Sequence, residues 1–173
     1  MTAVCYAACG VALVSAVLVV TGRHAMHALL HLILMLLAVA LAFFTLGAPF
    51  AAAIQVIVYA GAIMVLFVFV VMMLNLATAE HRERQWTPPR AWAIPLALAA
   101  ALLTLSGYAL SFRWSETFAA MPVAPRAVGI ALYREYLLGV EIVSLLLVAG
   151  LVAAFHIAPR PRAQRAEEEP GSG

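Results

Sequence analysis

The chain has 173 residues, of which 66% are hydrophobic and 10% charged, with a formal net charge of +2. That balance excludes an ordinary soluble domain, which carries about a quarter charged residues. There is no Asp and no Lys, and all ten basic residues are Arg, dispersed beside apolar runs; a nucleic-acid-binding face is excluded on the same ground.

Five apolar runs, at roughly 3–21, 26–46, 50–76, 91–112 and 137–157, are each long enough to cross a hydrocarbon core as a helix. None alternates with period two, which excludes an outer-membrane barrel. No internal repeat is visible, which disfavours an inverted-repeat transporter. The predicted fold is an all-α integral membrane protein with five transmembrane helices in one domain over residues 1–158. A polar, low-complexity tail over 159–173 is expected to be disordered.

The first run has no basic region before it and reads as a retained anchor rather than a cleaved signal. Its Cys5 and Cys9 are too few and too isolated for a zinc or iron–sulfur site, and read as buried apolar residues. The second run has His27 and His31 four apart, with His24 just before. That spacing suits a metal, but no carboxylate or cysteine stands near in sequence. Hydrogen bonding at the membrane interface is expected, and no metal.

The third run, Phe50 to Leu76, has 27 residues and no formal charge. Gln55 and Tyr59 are four apart and predicted on one helix face. Ala60, Gly61 and Ala62 follow, and Asn75 closes the far end. Two readings stand on the residues alone. Small residues let a neighbouring helix approach closely. Alternatively, Gly61, preceded by the β-branched Ile54, Val56, Ile57 and Val58, makes a weak point that a helix absorbs as a π-bulge.

The 77–90 connection (Glu80, His81, Arg82, Glu83, Arg84) reads as a solvated charged turn, with Glu80 also a candidate for the mouth of a proton path. Trp86 and Trp92 read as interface anchors. The fourth run offers Pro95, Thr104, Ser106, Gly107 and Tyr108 and no evident chemistry. In the long connection 113–136, Pro122 and Pro125 argue against a continuous helix, and its later part is expected to pack along the surface. The fifth run holds Glu141, the only carboxylate in any run. A structural carboxylate and a proton-linked group are both open readings.

Arginine placement predicts orientation. Arg23, Arg82, Arg84, Arg90, Arg160, Arg162 and Arg165 fall on one side of the five spans, and Arg113, Arg126 and Arg134 on the other. The richer side is predicted to be cytoplasmic, which puts the N-terminus in the periplasm and the C-terminus in the cytoplasm. No Gly-rich dinucleotide motif, cysteine cluster, Ser-His-Asp set or pair of catalytic carboxylates is present. The chain is therefore not expected to run a redox reaction or form a complete pump by itself. Gln55, Tyr59, Asn75 and Glu141 need polar partners, some of them expected on neighbouring subunits.

The run QVIVYAGAIMVLFVFVVMMLNL, with its Tyr59-Ala60-Gly61-Ala62 core, resembles the third helix of the J-type membrane subunit of bacterial NADH–quinone oxidoreductase, respiratory complex I. HALLHLI (27–33) and AVGIALYREYLLGVEIVSLLLVAGLVAAFH (127–156) are similar to that family's second and fifth helices. The resemblance implies a non-redox subunit of the inner membrane, with no cofactor of its own. The assembly it implies carries electrons from NADH through FMN and iron–sulfur clusters to quinone and exports protons. Implied partners are the K-type, quinone-site H-type, A-type and antiporter-like subunits. It further implies a π-bulge at Tyr59–Ala62 that switches to open or close a water path, with Gln55, Tyr59 and Glu141 as candidates for lining it. Some members have Glu where this chain has Gln55; an amide hydrogen-bonds but carries no proton. The competing reading is a subunit of a related cation/proton antiporter or membrane hydrogenase.

Overall fold

The computed structural model describes residues 2–22, 25–73, 92–113 and 123–158. Expectations for Arg23, His24, Asn75, Glu80, Trp86 and the 159–173 tail fall outside these residues. The described residues are helical, without a strand: α1 (Thr2–Thr21), α2 (Ala25–Thr45), α3 (Pro49–Ile54), a π-helical segment (Gln55–Ile63), α4 (Met64–Met73), α5 (Ala93–Arg113), α6 (Pro125–Arg134) and α7 (Leu137–Ile157). Five helical stretches are long and apolar enough to cross a membrane; α3, the π segment and α4 together make the third.

The chain forms two units, residues 1–125 and 126–173. In the first, α2 is the central element and packs against α1, the third span and α5. Its core is built from small residues. Ala8 of α1, Ala38 and Ala42 of α2 and Ala109 of α5 meet there, with Val4, Leu41 and Leu102 filling between them. Where lipid is as apolar as the side chains, close backbone approach of this kind supplies the attraction between helices.

The turn from α2 to α3 is set by one glycine. Gly47 adopts φ 82°, the left-handed conformation. The Ala48 N–H donates to the Phe43 carbonyl at 3.0 Å and the Gly47 N–H to the Phe44 carbonyl at 3.2 Å. These two bonds close α2 as a Schellman motif. Pro49 then starts α3 with its ring at the first helical position, where a missing N–H costs nothing. The Val123 N–H donates to the Gly47 carbonyl at 3.2 Å, so the end of the long connection is held at this turn.

In the second unit, α6 and α7 are separated only by Glu135 and Tyr136. The later part of this connection is a helix over Pro125–Arg134. Pro125 is its first residue, a position where proline favours a helix rather than breaking it. No residue of α7 is buried.

Candidate functional site

The centre of the third span is π-helical over nine residues, Gln55 to Ile63, a longer stretch than a single-turn bulge at Tyr59–Ala62. The segment returns to α geometry at Met64, whose N–H points to the carbonyls of Tyr59 and Gly61. Its sequence explains why α geometry yields here. Val56, Ile57 and Val58 crowd the preceding turn, and Gly61 contributes low helix propensity.

The π segment resets which residues point inward. Along the third span beyond Phe50 the more buried positions are Ala52, Gln55, Ala60, Gly61, Met64, Val68 and Val71. An α-helix repeats its inner face every three or four residues. Here the step from Gln55 to Ala60 is five, and the α repeat resumes from Ala60 onward. Every residue beyond the segment is thereby shifted by one position. Met64 is 2% exposed, whereas Ile63, which an uninterrupted α-helix would bring inward, lies exposed.

The same shift separates two residues that the four-residue spacing places together. Gln55 is 9% exposed and turned into the unit, and Tyr59 is 49% exposed. Ala60 takes the inward position that Tyr59 would hold in α geometry, because the wider turn spends one more residue. Ala60 and Gly61 are half-buried and Ala62 is exposed. Gly61 sits against the carbonyl of Val56, and a Cβ added there would stand 3.2 Å from that oxygen.

Of the other candidates, Glu141 is exposed on α7, and the Ser144 hydroxyl donates to its main-chain carbonyl at 2.7 Å. It belongs to the second unit, and Gln55 and Tyr59 to the first. His31 is 7% exposed. Its Nδ1–H donates to the His27 carbonyl at 2.7 Å, which leaves Nε2 as a buried acceptor without a partner among the described residues. The His27 ring packs on Trp92 at the start of α5, centroids 5.5 Å apart and planes tilted by 59°. Among the described residues no three His, Cys, Asp or Glu side chains converge on a metal-sized site.

A crevice of about 640 Å³ opens between α2, α3 and α5. Leu34, Leu41, Phe44, Val56 and Leu102 are among its lining residues, and Ser106 is the one hydroxyl there. It offers no convergent polar groups of the kind that orient a reacting substrate.

Sequence spacing alone missed the burial of Met64 and the inward turn of Ala60. The signal was present in the β-branched run before Gly61, but its effect on register depends on where the extra residue is inserted.

The profile of the family described as NADH-ubiquinone/plastoquinone oxidoreductase chain 6 matches residues 15–157. The chain is similar to NADH-quinone oxidoreductase subunit J of Pseudomonas aeruginosa, with 52% identity over 154 residues, covering 88% of this chain and 93% of that protein. The subunit J of Escherichia coli K12 is 49% identical over 157 residues, covering 90% of this chain and 85% of the relative. That of Buchnera aphidicola from Schizaphis graminum is 42% identical over 158 residues, covering 91% and 97%.

Proposed function

The chain belongs to the NADH-quinone oxidoreductase subunit J (chain 6) family, and on that premise we propose that it is the subunit that links quinone reduction to proton translocation by a change of helical register in its third span. It is a multi-pass membrane subunit of NADH-quinone oxidoreductase. The relatives' names favour this reading over an antiporter or hydrogenase subunit.

The observation that carries the proposal is the nine-residue π segment at mid-span. A π turn and an α turn of the same sequence differ by one residue of register. Conversion to α geometry would bring Tyr59 and Ile63 inward in place of Ala60 and Met64, changing an inner face of small and flexible side chains to one with a phenol. Both ends of the exchange are intact helix, so the change is confined to rotation of α4 and the rearranged segment Gln55–Ile63. Tyr59 is the polar group that moves, and Gln55, just before it, stays inward in both registers. Glu141 is proposed as a proton-linked carboxylate on the fifth span.

In this reading the chain works in the bacterial inner membrane and the electron-carrying groups, FMN and iron–sulfur clusters, sit on other subunits. Its neighbours are the K-type, H-type, A-type and antiporter-like subunits. The test is purification of a tagged chain from its own membranes in mild detergent. The expected result is a stoichiometric assembly with FMN and iron–sulfur absorbance and NADH-to-quinone activity. Recovery of the chain in an assembly without flavin would overturn the assignment.

A further inference from the structure

The connection between the fourth and fifth spans begins and ends on one side of the membrane, because each of those spans crosses once. Its last element, α6, ends at Arg134, three residues before α7 begins at Leu137. At about 3.6 Å per residue, Arg134 lies within roughly 11 Å of the start of a membrane span. The N–H groups of Glu135 and Tyr136 both donate to the Ala131 carbonyl, at 2.9 and 3.1 Å, which keeps this junction tight. The end of α6 is therefore held near the depth of lipid headgroups.

This helix has two different sides. Arg126, Ile130, Tyr133 and Arg134 follow one another at helical spacing on one side, and Val128, Ala131 and Leu132 occupy the other. The first side forms a shallow cleft of about 530 Å³ lined by Arg126, Gly129, Ile130, Tyr133 and Arg134. Two arginines and a tyrosine contribute to its lining, mostly through their carbon atoms, and both arginines are exposed; none of the lining residues is a carboxylate. The adjacent Glu135 is not among the lining residues. Tyr133 is 70% exposed, the placement of an aromatic that anchors at a membrane interface.

We propose that this side of α6 binds the phosphate groups of anionic membrane phospholipids. Arginine presents a planar fork of donors that matches phosphate oxygens two at a time. Arg126 and Arg134 are eight residues apart, about 12 Å along the helix, so each takes its own phosphate. The Tyr133 hydroxyl donates between them, and Ile130 meets the glycerol and upper acyl carbons. Val128 and Ala131 on the opposite side are half-buried in the protein, which leaves the arginine side free. The surface is chosen by charge: it is cationic and lies beside the start of a span, where lipid phosphates are the anions at hand.

The test uses the intact assembly purified in detergent from cells carrying the wild-type chain, Arg126→Gln/Arg134→Gln, or Arg126→Lys/Arg134→Lys. Retained phospholipid is extracted and quantified by headgroup class per assembly. The glutamine variant is expected to lose at least one anionic phospholipid per assembly with zwitterionic lipid unchanged, and the lysine variant to keep it. Washing the wild type with excess inorganic phosphate is expected to leave the lipid in place. Unchanged anionic lipid in the glutamine variant would overturn the proposal. So would equal loss from the lysine variant, which would mark a structural defect, or displacement by free phosphate. Loss of a neighbouring subunit with anionic lipid unchanged would identify the face as a protein contact instead.

Discussion

Gly61 is where the register proposal meets its sharpest test. A Cβ at this position would stand 3.2 Å from the Val56 carbonyl oxygen, closer than carbon and oxygen usually pack. That carbonyl is five residues back, the distance in sequence that a π turn closes. Gly61→Ala therefore crowds the π form, and an α form accommodates alanine without strain. The cost of one such added carbon is about 1 kcal/mol, which shifts a two-state balance about fivefold. Gly61→Leu adds three more carbons at a half-buried position, with a cost of about 2–3 kcal/mol and a shift of roughly 30- to 150-fold. If the two registers differ by only a few kcal/mol, alanine changes their populations and leucine holds one of them. The assay compares, in the same membranes, NADH oxidation with an artificial acceptor and quinone reduction with proton uptake. The first reports assembly of the electron-carrying part and is expected to stay at the wild-type rate in both variants. The second is expected to fall several-fold at most in Gly61→Ala and at least about tenfold in Gly61→Leu. Leucine at this position with both activities at wild-type level would refute a mobile register and leave helix packing as the reason for the glycine.

The inward register is checked separately by heat inactivation of the assembly. Met64→Ala removes the largest fully buried side chain and is expected to cost about 2–5 kcal/mol, whereas Ile63→Ala costs less than about 1 kcal/mol; the reverse order would mean an uninterrupted α-helix in the membrane. His31→Leu removes one hydrogen bond and one unpartnered acceptor together at closer volume, so heat stability should change by less than about 1 kcal/mol, and a larger loss would point to a partner at Nε2. Glu141→Gln should assemble normally and lower proton uptake per quinone reduced; failure to assemble would make the carboxylate structural, and full coupling would remove it from the proton path. A periplasmic reporter fused after Arg162, which lies outside the described residues, should be inactive, and activity there would reverse the arginine-based orientation.

Much of this protein was legible in the order of its residues. Five spans follow from run length and lack of charge, because a chain in lipid must satisfy its backbone internally and a helix does so within each run. The Tyr59–Ala62 string carried the family, and the β-branched run before Gly61 marked the weak point of the third span. The turn at Gly47 was legible as a break between two runs. What its φ of 82° adds is a pair of hydrogen bonds that close α2.

Tertiary structure alone decided which side of the helices packed on α2 faces in. α1 and α4 are apolar around nearly their whole circumference, so composition gives no inner face to read. Packing on α2 through Ala8, Ala38, Ala42 and Ala109 selects it by closeness of approach, a property of pairs of helices rather than of any one run. The five-residue step from Gln55 to Ala60 is of the same kind. Spacing counted in α turns puts Gln55 and Tyr59 together, and the inserted residue turns Tyr59 outward and Met64 inward. The α6 helix was obscured for a different reason: Pro125 reads as a breaker until its place at the first turn is known. Only then do Arg126 and Arg134 share one side of a helix beside a membrane span.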